Sequence, residues 1–291
     1  MSTQGAETVR PLNAMTVDVE EYFQVSAFER HIDRDAWERL PSRVERSMER
    51  ILALFQRHGV RGTFFFLGWI AERHPALVRR VVAEGHELAS HGWSHVRVVQ
   101  QNPEDFRQDV LRTRSLLEDT AGVRVSGYRA ASYSIGRDNL WALDVLGETG
   151  HLYSSSIYPI RHDLYGMPEA PRFAFRHGGP GGLLEVPVTT VELAGRKLPC
   201  GGGGYFRLLP YPLFRWGLNR VNLHDGQSGV FYFHPWEIDP DQPRQQGLGW
   251  RTRFRHYLNL GRMEMRLDQL LRDFRWGRMD EIFLESGERC A

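Results

Sequence analysis

Two closely spaced pairs of side chains are of types that bind a cation and move protons. Asp18 and Glu20 close the run Thr16-Val17-Asp18-Val19-Glu20, and His91 and His95 bracket Gly92-Trp93-Ser94. Two imidazoles four positions apart lie on one side of a helical turn, so both can reach one small cation. Alternation along an extended segment turns Asp18 and Glu20 to the same side, with Val19 opposite. A late imidazole, His234, follows the apolar run Gly229-Val230-Phe231-Tyr232-Phe233. Together these supply two His and a carboxylate for a metal, a second carboxylate as base and a remote His as acid. Those are the parts of a metal-assisted hydrolase.

Such groups need elements to position them. Ala14–Val17 predicts a short strand that delivers the acidic pair. Ser42–His58 predicts a helix, capped by Ser42 with Glu45 and stopped by Gly59. Arg61–Leu67 predicts a buried strand, and a second helix is expected over about Trp69–Glu84. A strand then leads to His91, and Pro103 opens a third helix. Val125–Arg129 predicts the next strand and Asp138–Gly150 a fourth helix. This alternation predicts an α/β fold with a parallel sheet or barrel. Asp18, Glu20, His91, Arg129 and His234 then all fall at strand carboxyl ends, where such folds gather their active groups. Residues 153–204 form a proline- and glycine-punctuated stretch, with a strand expected at Leu183–Val186. Phe206–Val221 looks helical, and an amphipathic helix with Leu267, Leu270, Leu271 and Phe274 closes the chain.

The 291 residues suit one large domain after a loose arm at 1–13. A net charge of +1 gives no field for nucleic acid or an anionic membrane. Lys197 is the only lysine among the 37 basic residues. Cys200 and Cys290 imply no disulfide framework. No apolar leader and no run of the roughly 20 apolar residues that span a bilayer is present. The expectation is a cytoplasmic protein without membrane insertion.

Four segments in order carry a family resemblance: Thr16–Glu20, His91–His95, Arg129-Ala130-Ala131-Ser132 and Phe233-His234-Pro235. They resemble the motif set of NodB-type polysaccharide deacetylases, carbohydrate esterase family 4. The ending Phe-His-Pro-Trp-Glu-Ile-Asp looks most like the subgroup associated with exosortase and exopolysaccharide clusters. The resemblance covers roughly residues 14–275. It implies a distorted (β/α)7 barrel, with a single deacetylase domain over 14–285. Within that domain, 153–204 is a loop-rich insert and 205–285 a subgroup-specific part.

It also implies removal of N-acetyl groups from a polysaccharide or oligosaccharide. By carry-over, Asp18 is the base, His234 the acid, and Arg129 orients Asp18. Glu20, His91 and His95 hold a divalent metal; zinc suits them, as do cobalt, manganese or nickel. Glu21 is the reserve ligand. A backbone N–H near Ser132 or Tyr133 would face the oxyanion, and Tyr133, Tyr205 and Trp236 would contact sugar. Val19 separates carboxylates that relatives keep adjacent, Ala131 replaces a common proline, and Ser154 stands where relatives often have Asp. Asp144 or Asp163 is the substitute partner expected for Arg129. The same parts would serve another linear or cyclic amide. The altered third motif would suit a glycan binder without turnover. His86 is expected to be a hydrogen-bonded core residue, and Arg251, Arg253 and Arg255 a solvated face. Oligomeric state is not encoded in any pattern seen.

Overall fold

The computed structural model describes residues 10–162 and 165–290. Most of the expected arm, and Asp163, lie outside the described residues. The strands are β1 (Asn13–Val19), β2 (Thr63–Phe66), β3 (Glu87–Ser90), β4 (Gly127–Tyr128), β5 (Tyr153–Ser154), β6 (Phe175–Arg176), β7 (Leu184–Glu185), β8 (Thr190–Leu193), β9 (Arg196–Pro199), β10 (Val230–Phe233) and β11 (Trp276–Gly277). The main sheet runs β10-β1-β2-β3-β4-β5-β7-β6. Neighbours from β10 to β7 are all parallel; β6 adds an antiparallel edge and β11 pairs with the start of β1. The sheet is curled and open, an incomplete barrel surrounded by helices. The hairpin β8–β9 stands apart from it.

Irregular backbone fills the gap between β7 and β10. The Val188 N–H donates to Ile157 O, Cys200 N–H to Thr189 O and Tyr232 N–H to Gly201 O. The rim is thereby hydrogen-bonded where no regular strand is present.

Alternation along β1 separates its two faces. Met15, Val17 and Val19 face the helices, packing with Val44, Met48, Ile51 and Phe55 of α1 (Val44–His58). Burying each such side chain stabilises the fold by roughly 1.5–3 kcal/mol. Ala14 packs with Phe65 and Ala89 in a separate cluster, and Thr16 and Asp18 lie on the same side as Ala14. Every residue of β1 is buried, so the strand is central to the sheet.

Several helix expectations change. The single helix over 69–84 is two, α2 (Gly68–Arg73) and α3 (Pro75–Ala83). Pro75 lacks an N–H and disfavours helical backbone at His74, so the chain breaks there. A second break falls at Leu209-Pro210, between α6 (Gly203–Leu208) and α7 (Tyr211–Asn219). The other long helices are α4 (Pro103–Ala121), α5 (Trp141–Glu148), α8 (Trp250–Tyr257) and α9 (Leu260–Asp273). Ser42 does not cap α1: its hydroxyl donates to Glu21 Oε1 at 2.5 Å. Glu21 caps the helix instead, accepting from the Arg43 and Val44 N–H groups. Gly59 ends α1 in the left-handed region at φ 62°. His86 is the expected core histidine, its Nδ1 accepting from Gly62 N–H at 3.1 Å.

Candidate metal centre

The parallel strands bring four chain segments to one rim. Glu20 follows β1, His91 follows β3, Arg129 follows β4 and His234 follows β10. Asp18 lies one register step inside the rim, opposite Phe65.

Glu20, His91 and His95 converge, with one ligand atom from each within 4.8 Å of the others. His95 Nε2 lies 3.0 Å from Glu20 Oε2. His91 Nδ1–H donates to the Arg129 carbonyl at 2.8 Å, which leaves Nε2 as the lone-pair nitrogen. His91 Nε2 and Glu20 Oε2 are buried without a hydrogen-bond partner. Orphaned buried acceptors are costly, and a divalent cation shared among the three groups satisfies them. Burial, with His234 also opposing a second positive charge, drives the His95 pKa well down, so the imidazole is neutral and ready to ligate. The two histidines do not share a helical turn. Residues 91–95 form a loop, with Gly92 at φ 75° and His95 at φ 54°. The spacing pointed to the right pair through the wrong backbone. Glu21, the reserve ligand, instead spends its carboxylate on the start of α1.

Asp18 is 2% exposed and paired. Burial alone would raise its pKa, but the Arg129 guanidinium, helped by His91 and His234, holds it below the ordinary value. Arg129 Nη1 lies 2.6 Å from Asp18 Oδ1, and the Tyr133 hydroxyl donates to Oδ2 at 3.4 Å. Arg129 does not depend on an acid in place of Ser154. It also donates to Thr16 Oγ1, Ser155 O and Ser155 Oγ. Asp144 is instead 3.2 Å from His177.

His234 Nε2 lies 3.5 Å from Glu20 Oε1 and 4.0 Å from Asp18 Oδ2. Its Nδ1–H donates to Glu237 Oε1 at 2.6 Å, and Glu237 Oε2 accepts from Arg207 Nε at 2.9 Å. Burial lowers the imidazole's pKa, but Glu20 and Glu237 outweigh it and raise it to about 9. Arg207 is 2% exposed and donates as well to the His256 and Leu258 carbonyls. Sequence reasoning missed Arg207 and the role of Glu237, although Glu237 stands three residues after His234 in a motif already singled out. Gly203 makes the approach possible: a Cβ there would sit 2.3 Å from Glu237 Oε2.

The three expected sugar contacts fare differently. Trp236 is only 7% exposed, stacks on His234 and His256, and donates from Nε1 to Glu20 Oε1 at 3.2 Å. It orients the Glu20 carboxylate and has no open face for a sugar. The Tyr133 ring is buried and its N–H is used by the Ala130 carbonyl, so it is not the backbone donor. Tyr205 is half-buried against Tyr133, Tyr158 and Tyr232.

Two family models match the chain. Residues 35–151 match the polysaccharide deacetylase family, and residues 155–284 match a domain of unknown function, DUF3473. The chain is 26% identical over 171 residues to a peptidoglycan-N-acetylglucosamine deacetylase of Bacillus cereus, covering 55% of this chain and 61% of that protein. It is 31% identical over 96 residues to a chitooligosaccharide deacetylase of Bradyrhizobium sp., covering 33% and 42%. The chain thus spans less than two thirds of these curated relatives. A crystal structure of a Mycobacterium smegmatis protein, provisionally assigned as a polysaccharide deacetylase, superposes with a TM-score of 0.64 at 21% identity, covering 97% of this chain and 91% of that one. That likeness concerns the fold. No helix among the described residues is long and apolar enough to cross a membrane.

Proposed function

We propose that this chain, which carries a polysaccharide deacetylase domain of the carbohydrate esterase family 4 (NodB-homology) type, hydrolyses N-acetyl groups on the amino sugars of a glycan. The observation that carries the reading is the meeting of three groups: the Glu20, His91 and His95 triad, Asp18 paired with Arg129, and His234 within 4.0 Å of Asp18 and Glu20.

Glu20, His91 and His95 would hold the divalent cation, with zinc the first choice for two imidazoles and a carboxylate. When bound, it would supply Lewis-acid polarisation of the acetyl carbonyl and of an attacking water. Asp18 acts as the base and takes the proton of that water. Arg129 and the Tyr133 hydroxyl fix the carboxylate for this step. His234, whose proton is favoured by Glu237, gives it from Nε2 to the departing amine. Glu237, held by Arg207, grips the opposite nitrogen and fixes the tautomer and ring plane. The half-buried Tyr205 is the remaining candidate for contact with sugar. An exopolysaccharide is the finer reading of the substrate, and its support is the Phe233–Asp239 ending alone.

The test is acetate release from N-acetylated glycans, chito-oligosaccharides and peptidoglycan fragments among them. Release should stop with a chelator and with His91→Ala. Full activity after either treatment would overturn the reading.

A further inference from the structure

Both imidazoles of the metal centre ride on the segment 91–95, which has no helix or strand of its own. Its backbone is strained at His95, which sits at φ 54° in the left-handed region. A residue with a side chain keeps that conformation where its surroundings over-determine it. The surroundings here are hydrogen bonds from three other parts of the chain. At the start of α2, the Gly68 and Trp69 N–H groups donate to the Gly92 and Trp93 carbonyls, each at 2.9 Å. From the turn Arg34–Arg39, Arg34 donates to the Ser94 carbonyl at 3.0 Å and to the His95 carbonyl at 3.4 Å. Asp109 of α4 supplies a third grip of the opposite polarity, its Oδ1 accepting the Trp93 N–H at 3.0 Å.

The Asp109 contact falls midway between the two imidazoles. Its Oδ1 also lies close against Gly92, where a Cβ would come within 3.0 Å of it. Glycine, at φ 75°, gives the carboxylate room to approach. Arg112, on the same helix, lays its guanidinium over the Trp93 indole, 3.2 Å from the ring centroid. One face of α4 thus grips both the backbone and the side chain of Trp93. A carboxylate acceptor makes the stronger kind of hydrogen bond, and an N–H that loses its acceptor away from water is costly. Without Asp109, the Gly92–Trp93 peptide would turn toward another acceptor, and a rotation there moves His95 relative to His91.

We propose that Asp109 is a positioning residue for the cation. Its bond to the Trp93 N–H sets the peptide between His91 and His95, and so the spacing at which their nitrogens meet Glu20. Partners that hold a ligand set from behind typically contribute about 10- to 100-fold in metal affinity. The inference rests on Glu20, His91 and His95 being the metal ligands, and not on which bond the site hydrolyses.

Zinc affinity, measured on the full chain by competition with a chromogenic chelator, tests it without turnover. Asp109→Ala should weaken binding at least about tenfold, and so should Asp109→Leu, which fills the same volume and serves if the alanine variant does not fold. Asp109→Asn keeps an oxygen acceptor in place and should stay within about threefold of the parent. Asp119→Ala, at an exposed position of the same helix, should match the parent. Cobalt in place of zinc should show shifted absorption bands in the leucine variant and parental bands in the asparagine variant. A leucine variant that melts earlier without metal yet binds zinc as tightly as the parent would overturn the proposal, leaving Asp109 a purely structural role. Equal weakening by Asp109→Asn and Asp109→Leu would overturn it too. A parent chain that binds no zinc or cobalt would sink the metal reading itself and this inference with it.

Discussion

Arg207 and Glu237 meet behind His234, with Arg207 Nε 2.9 Å from Glu237 Oε2 and the other carboxylate oxygen 2.6 Å from His234 Nδ1. Asp18 and Arg129 form the matching pair on the base side. Each proton-handling group is thus backed by a buried ion pair.

Glu237→Gln should therefore behave as a defect in the acid. It keeps the side chain's volume but removes the charge that helps hold the His234 proton. General acid catalysis is typically worth 10²- to 10⁴-fold, so kcat should fall by about 100-fold or more with little change in KM. Despite burial, Glu20 and Glu237 raise the His234 pKa in the metal-free site, and activity should fall on the alkaline side as His234 loses its proton. In the variant this alkaline limb should move to lower pH. Rate profiles from pH 6 to 10 check both, and an unmoved limb would assign Glu237 a purely structural role.

Metal uptake should depend on Glu20 and not on Glu21. Burial, with smaller additions from Asp18 and Glu237, raises Glu20 to about 7 in the metal-free site despite His234 and Trp236. A proton then competes with the cation, so affinity should fall about tenfold per pH unit below 7. Glu20→Ala should abolish tight binding. Glu21→Ala should bind metal normally but lose about 1–2 kcal/mol of stability with the α1 cap. Elemental analysis and denaturant titration of the two variants separate the roles.

Acid should unfold the protein through buried histidines that take no part in proton transfer. Burial lowers His86 to about 4, His151 to about 3 and His256 to about 2. Each is neutral in the folded chain and titrates near 6.5 once unfolded. Their contribution is therefore present above about pH 6.5 and is lost as pH falls through the window below it, down to about 4 for His86. The slope is about 1.4 kcal/mol per pH unit for each group. Denaturant midpoints at pH 7, 5.5 and 4.5 should decline accordingly, and a flat series would contradict the assignment.

Much of this was legible in the sequence because strand order and strand ends follow from hydrophobic period and punctuation. Val17 and Val19 alternate with Asp18, and that alternation alone aims the carboxylate inward. Phe233 ends an apolar run, so His234 had to reach a rim. What was illegible depends on contacts distant in sequence. Arg207 meets Glu237 across 30 residues, and nothing local to an arginine in so arginine-rich a chain marks it as buried. Trp236 looked like a sugar platform because its composition is the same whether its face is open or covered by His256. Glu20 and Glu21 are identical in type; only the position of α1 sends the second to a cap.

The order of the sheet has a consequence for how the protein is made. β10 docks beside β1, which is synthesised about 200 residues earlier, and His234 follows directly on β10. A growing chain has synthesised Glu20, His91 and His95 long before it has His234. On the proposed mechanism, the site is complete only once the late strand has paired with β1.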